Sequence, residues 1–418
     1  MKKFLLTGVA GLALCGHMAA AEVNADAPMG GTMTVTYKDD VATLDPAIGY
    51  DWQNWSMIKS LFDGLMGYEP GTTALRNELA SDYAISEDGL THTFSLKDGI
   101  KFHNGREIVA EDVKYSLERV TNPETRSPGA GFFGMIAGFD SWNAGEGEGL
   151  SGVQVIDDKT IEIPLSRPDP TFGNANAPHS PSILPKEAVE AAGEDFGRQP
   201  VGSGAFKLAE WAPGQRVVFE RFADYHRANL PKLDQVTFEI GLEPTVALLR
   251  LQQGQADVPG DGIPPAQFLQ VMNDPAQKDN VIEGGQLHPG YITLNTQMAP
   301  FDNVAVRKAV NMAINQDRIV KLINGRAVPA NQPLLPSMPG YAEDYEGYAF
   351  DPAAAKEMLD EAGFADGFTT ELYVMNVDPN PRIAQSIQQE LQAIGAVSYL
   401  HLTLPPSRQP CIPVRALS

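Results

Sequence analysis

The sequence predicts a mixed α/β (α+β) protein built as more than one lobe. Three observations lead there. Strand-type and helix-type hydrophobic patterns alternate along the chain instead of segregating, 418 residues suffice for two or three ordinary cores, and a break at Pro259-Gly260-Asp261-Gly262-Ile263-Pro264-Pro265 separates two patterned stretches.

The N-terminus comes first. Lys2 and Lys3, the uncharged run Phe4 to Leu14 and the small residues Ala19-Ala20-Ala21 before Glu22 have the order of a secretory signal peptide, cleaved between Ala21 and Glu22. The run is shorter than the ~20 apolar residues of a spanning helix. Cys15 offers a lipoprotein reading, but Leu14 stands where such a signal wants a small residue. The expected location is the periplasm. Cys411 is the only other cysteine, so loss of the leader leaves no pair for an intrachain disulfide.

Half-buried strands are expected at Met33/Val35/Tyr37, Phe94/Leu96, Ile161/Ile163/Leu165 and Val236/Phe238/Ile240, where apolar residues recur with period two. Between them, Val113, Leu117 and Val120 fall on one face of a helix over 110–120. In the second half, Asp302 or Asn303 caps a helix carrying Val306, Val310, Ala313 and Ile314 and running to Ile323, with Gly325 beyond it. Asp351-Pro352 starts another that Gly363 stops, and Ile383, Ile387, Leu391 and Ile394 mark a third before Gly395. Gly145 to Gly152 reads as a surface loop.

A net charge of −22 repels nucleic acid and anionic membrane alike. Seven histidines include no His-Glu-x-x-His helix, and the chain has no Cys-x-x-Cys pair and no Gly-x-Ser-x-Gly elbow. His103 and Glu107 are separated by the turn dipeptide Asn104-Gly105, which does not suit a zinc pair. Gly202-Ser203-Gly204 lacks the rest of a phosphate loop and reads as a tight turn. No catalytic group, metal or cofactor is predicted.

Several segments together resemble the family 5 extracellular solute-binding proteins, the peptide- and nickel-binding subunits of ABC importers. They are Thr43-Leu44-Asp45-Pro46-Ala47, Leu61-Phe62-Asp63-Gly64-Leu65 and the long stretch from Leu79-Ala80 through Ser86-Glu87-Asp88-Gly89-Leu90 and Leu96 to Gly105 to Val120. Pro200 to Phe206, Asn295-Thr296, Pro300-Phe301-Asp302 and Val306-Arg307-Lys308-Ala309 continue the series. The resemblance implies a two-lobed periplasmic-binding-protein fold of type II. Lobe 1 would comprise 22–60 and 166–262, with an extra subdomain at 61–165, and lobe 2 would comprise 263–397. It also implies a monomeric receptor that takes a peptide or other small solute between its lobes and delivers it to membrane permease subunits. A nickel chelate, an oligosaccharide or haem are alternative solutes on the same scaffold, and a secreted hydrolase or chaperone is the alternative from another class.

Candidate contacts are Tyr50, Asp51 and Trp52 after the Leu-Asp-Pro turn, Phe132 and Phe133 in a Gly-rich loop, Ser203, and Tyr291, Asn295 and Asn376 near strand ends of lobe 2. The family pattern continues beyond the Ile394-Gly395 helix end, whereas residues 398–418 contain no Asp or Glu. These residues are expected to be a tail foreign to the scaffold, from a truncated or frameshifted end. The acidic partner of a peptide ammonium would then lie beyond the matched pattern.

Overall fold

The computed structural model describes residues 26–403 except 71, 73, 177–180, 283–287, 337, 339 and 377. The expected cleavage point at Ala21 and Glu22 lies outside the described residues, as does 404–418. The chain divides into two compact units between Gly262 and Ile263.

The first unit begins with β1 (Thr32–Tyr37), α1 (Trp52–Leu61), a short pair β2 (Met66–Tyr68) and β3 (Leu75–Asn77), then β4 (Ala80–Ile85) and β5 (Thr91–Leu96). It continues through α2 (Ala110–Thr121), α3 (Phe139–Asn143), β6 (Gln154–Asp157), β7 (Thr160–Pro164), α4 (Phe172–Ala175) and α5 (Lys186–Ala192). It ends with β8 (Phe206–Ala212), β9 (Arg216–Arg221), β10 (Gln235–Ile240), α6 (Pro244–Gln252) and β11 (Val258–Pro259).

Two sheets carry this unit. One has the order β11-β1-β10-β9-β8, with β1 parallel to both β10 and β11 and the rest antiparallel. Its inward residues Val35, Tyr37, Val217, Phe219 and Phe238 pack with Met57, Ile58 and Leu61 of α1. The other sheet, β4-β5-β7-β6, is antiparallel. Phe94, Ile161 and Ile163 alternate inward onto Val113, Leu117 and Val120 of α2, the helical face that the spacing predicts. Asp112 in the first turn of α2 is buried, receives the Val109 N–H at 3.0 Å and is held by both terminal nitrogens of Arg106. An acid at a helix start is favoured by the dipole, and here it also caps.

The second unit contains α7 (Pro265–Asn273), α8 (Val304–Ala313), α9 (Gln316–Leu322), α10 (Pro352–Glu361), β12 (Phe368–Met375), α11 (Asn380–Ala393) and β13 (Ala396–Thr403). Val306 and Val310 of α8, Leu359 of α10, and Ile387 and Leu391 of α11 form its core. Asn303 caps α8 through the Ala305 N–H, and Asp351 caps α10 through those of Ala353 and Ala354.

Two expectations are corrected. The helix expected to run to Ile323 breaks at Ile314 and Asn315, because Asn315 turns extended and caps a new helix through the Arg318 N–H at 2.9 Å. Buried Glu390 fixes the break by accepting the Asn315 N–H. The tail expected from Ser398 is scaffold as far as Thr403. β13 pairs in parallel with β12 over its whole length, Ser398 is buried, and its carbonyl accepts from Gln388. Gly367 and Gly395 launch the two strands at positive φ, and a Cβ on Gly367 would lie 2.1 Å from the Gly395 oxygen.

Candidate functional site

The turn Thr43 to Ala47 is anchored from beneath. Buried Asp45 accepts the Ala47 N–H at 3.0 Å and is gripped by both terminal nitrogens of Arg119 from α2, a bidentate pair inside the unit. The chain then reaches Tyr50, Asp51 and Trp52 at the start of α1. Asp51 is the N-cap of that helix, accepting the Asn54 N–H at 2.9 Å.

The aromatic side chains around this turn form a surface. The Tyr50 ring stacks on Phe132 at 6.2 Å and meets Trp55 edge-on at 5.1 Å. Trp52 meets Tyr37 edge-on at 5.7 Å. Tyr50, Trp52 and Phe132 are 42, 56 and 49% exposed, although each ring is steadied by an aromatic neighbour. Burial raises the pKa of the Tyr37 hydroxyl, which pairs with Ser56 at 3.1 Å.

Two expected contacts are placed elsewhere. Phe133 follows Phe132 in a 3-10 turn, points the opposite way and is wholly buried in the core beneath α2. Ser203 is buried too. Its loop lies so close to α1 that a Cβ on Gly202 or Gly204 would run into the Leu61 backbone. His103 locks that loop: Nδ1 accepts the Gly202 N–H at 3.1 Å while Nε2 faces the Gly204 oxygen at 3.1 Å. Those partners fit a neutral ring with its proton on Nε2, and burial depresses its pKa to about 4. Glu107 goes instead to Lys159 and the Gly99 N–H, away from the His103 ring.

In the second unit Tyr291 and Asn295 are exposed on the stretch before α8, where Asn295 accepts the Gln297 N–H, and Asn376 lies exposed in the bend after β12. Sequence reasoning missed the open face of the β12–β13 pair. Glu371, Tyr373 and Met375 line it from one strand and Val397, Tyr399 and His401 from the other, with the Tyr373 and His401 rings stacked at 4.8 Å. The period-two pattern of 368–375 was the available signal.

On this fold, the model for the bacterial extracellular solute-binding proteins of family 5 matches residues 74–403. The chain belongs to that family. It is 32% identical to the glutathione-binding protein GsiB of Salmonella typhimurium over 365 residues, which is 87% of this chain and 68% of that protein. Among solved structures it resembles the periplasmic binding protein DppA of Helicobacter pylori in complex with the peptide STSA, with a TM-score of 0.75 and 26% identity. That match covers 90% of this chain and 74% of the other. It also resembles the binding protein MoaA of A. tumefaciens R10 in complex with mannopinic acid, with a TM-score of 0.71 and 26% identity, covering 90 and 74% of the two chains. The fold is thus that of the two-lobed type II binding proteins.

Proposed function

We propose that this chain is a peptide receptor of an ABC importer, exported to the periplasm by a leader cleaved between Ala21 and Glu22, and that it works as a monomer without a catalytic step. The observation that carries the reading is the exposed aromatic surface of Tyr50, Trp52 and Phe132 on a family 5 scaffold. Large rings held in place yet open to water supply apolar contact at little entropic cost, and a mixed set of side chains can lie against them. The relatives whose names carry glutathione and the peptide STSA support a short peptide as the solute. Bound solute would then pass to permease subunits, with a separate ATPase supplying the energy.

A ligand that binds only the folded state raises its stability by RT ln(1 + [L]/Kd), about 2.7 kcal/mol at a hundredfold excess. Short peptides are expected to raise the melting temperature of the purified chain. In a protein that also carries the acidic partner expected beyond the matched pattern, N-acetylated forms should raise it much less, because acetylation removes the ammonium and leaves that carboxylate unpaired. The likeness to the mannopinic acid complex favours one second reading, a sugar–amino acid conjugate. A large shift with such conjugates and none with glutathione or a peptide library would replace the peptide reading by that one.

A further inference from the structure

We propose that Asp63, Glu78 and His226 form a divalent transition-metal site, of the zinc type, inside the first unit. Asp63 follows the end of α1, Glu78 lies between β3 and β4, and His226 lies between β9 and β10. Nε2 of His226 is 3.2 Å from Oδ2 of Asp63 and 3.4 Å from Oε1 of Glu78, and the three ligand atoms lie within 4.8 Å of one another. All three side chains are shielded from solvent, that of His226 being 6% exposed.

The second observation is an orphan atom. Glu78 is 5% exposed, yet its Oε1 has no hydrogen-bond partner, while Oε2 is held by Arg76 with Arg227 at 3.9 Å. The imidazole N–H serves Asp63 and leaves the Glu78 oxygen aimed at the same point unsatisfied. A buried carboxylate oxygen without a partner costs free energy that a cation at this point would recover. One imidazole nitrogen and two carboxylate oxygens make a donor set that zinc accepts, with bonds of about 2.0–2.2 Å and a water completing four-coordination. Separations of 3.2–3.4 Å between donors suit that bond length. The two guanidiniums offset part of the acidic charge, so they lower the affinity without occupying the oxygens that face the metal.

Such an ion would tie the β9–β10 loop to the chain around β2 and β3, within a unit whose described residues include no cysteine. It lies apart from the aromatic surface and is a staple, not the solute. Sequence reasoning predicted no metal because the donors come from three segments, with His226 separated from Asp63 by 163 positions.

The test uses the whole chain, stripped with chelator and titrated calorimetrically with zinc. One zinc per chain is expected, with a raised melting temperature and a first shell of nitrogen and oxygen near 2.0–2.2 Å by X-ray absorption. Glu78→Gln and His226→Gln should each weaken uptake more than about tenfold, while His401→Gln, on the second unit, leaves it unchanged. Circular dichroism of the stripped variants separates loss of the site from loss of the fold. The proposal is overturned if the stripped chain takes up no zinc, if the well-folded Glu78→Gln and His226→Gln chains bind as before, if His401→Gln alone abolishes uptake, or if calcium stabilises the chain more than zinc.

Discussion

Neighbouring residues of one type can have opposite fates, and Phe132 with Phe133 shows why the candidate site was only half legible. Both are aromatic and both sit in a Gly-rich segment, but a tight turn sends successive side chains in different directions. One ring reaches the surface beside Tyr50 and the other fills the core. Phe133→Ala should therefore cost about 3–5 kcal/mol of stability through the cavity it leaves, read as a fall in denaturant midpoint. Phe132→Ala should leave the midpoint nearly unchanged and weaken peptide binding by roughly fivefold or more. Equal destabilisation by the two would refute this division of labour. Asp51 is read from sequence as a candidate ligand contact. The structure uses it as the cap of α1, so Asp51→Ala should cost on the order of 1 kcal/mol of stability before any effect on ligand is considered.

At the scale of elements, what could be read in advance was whatever had a regular period and one buried face. The strands around Val35, Phe94, Ile161 and Phe238 and the helices of Val113 and Ile387 all meet that condition. The break between α8 and α9 was not legible, since the apolar spacing runs on while a polar cap and a distant buried glutamate decide the backbone. β13 was missed for a different reason. Its residues look foreign by charge, yet pairing with β12 and burial against α11 need only Ala396, Ser398 and the backbone. A chain ending after Thr403 should therefore melt well above one ending after Gly395. The shorter chain uncovers the carbonyl and amide edge of β12 and part of the core under Ile387 and Leu391. Coincident melting of the two would show that β13 contributes nothing to the second unit.

For the molecule as a whole, acid is the condition under which its internal ties can be compared. His103 holds the loop before β8 to the turn after β5, and its depressed pKa means that the unfolded chain takes up a proton there before the folded one does. An ordinary histidine titrates near 6.5, so between that pH and about 4 the unfolded state binds more protons at this position. Stability then rises with pH across the window. The contribution is fully present above the upper limit and is lost as pH falls to the lower one. Each pH unit of that window is equivalent to about 1.4 kcal/mol, which makes the whole contribution roughly 3 kcal/mol. His103→Gln keeps a donor and an acceptor near the Gly202 and Gly204 backbone but cannot titrate. We expect it to be less stable than the unaltered chain at pH 7.5 and to lose distinctly less stability between pH 6.5 and 4, measured by urea unfolding at each pH. The carboxylates common to both proteins contribute equally to the two curves and drop out of the difference. Parallel curves for the two proteins would mean that His103 is protonated as readily folded as unfolded.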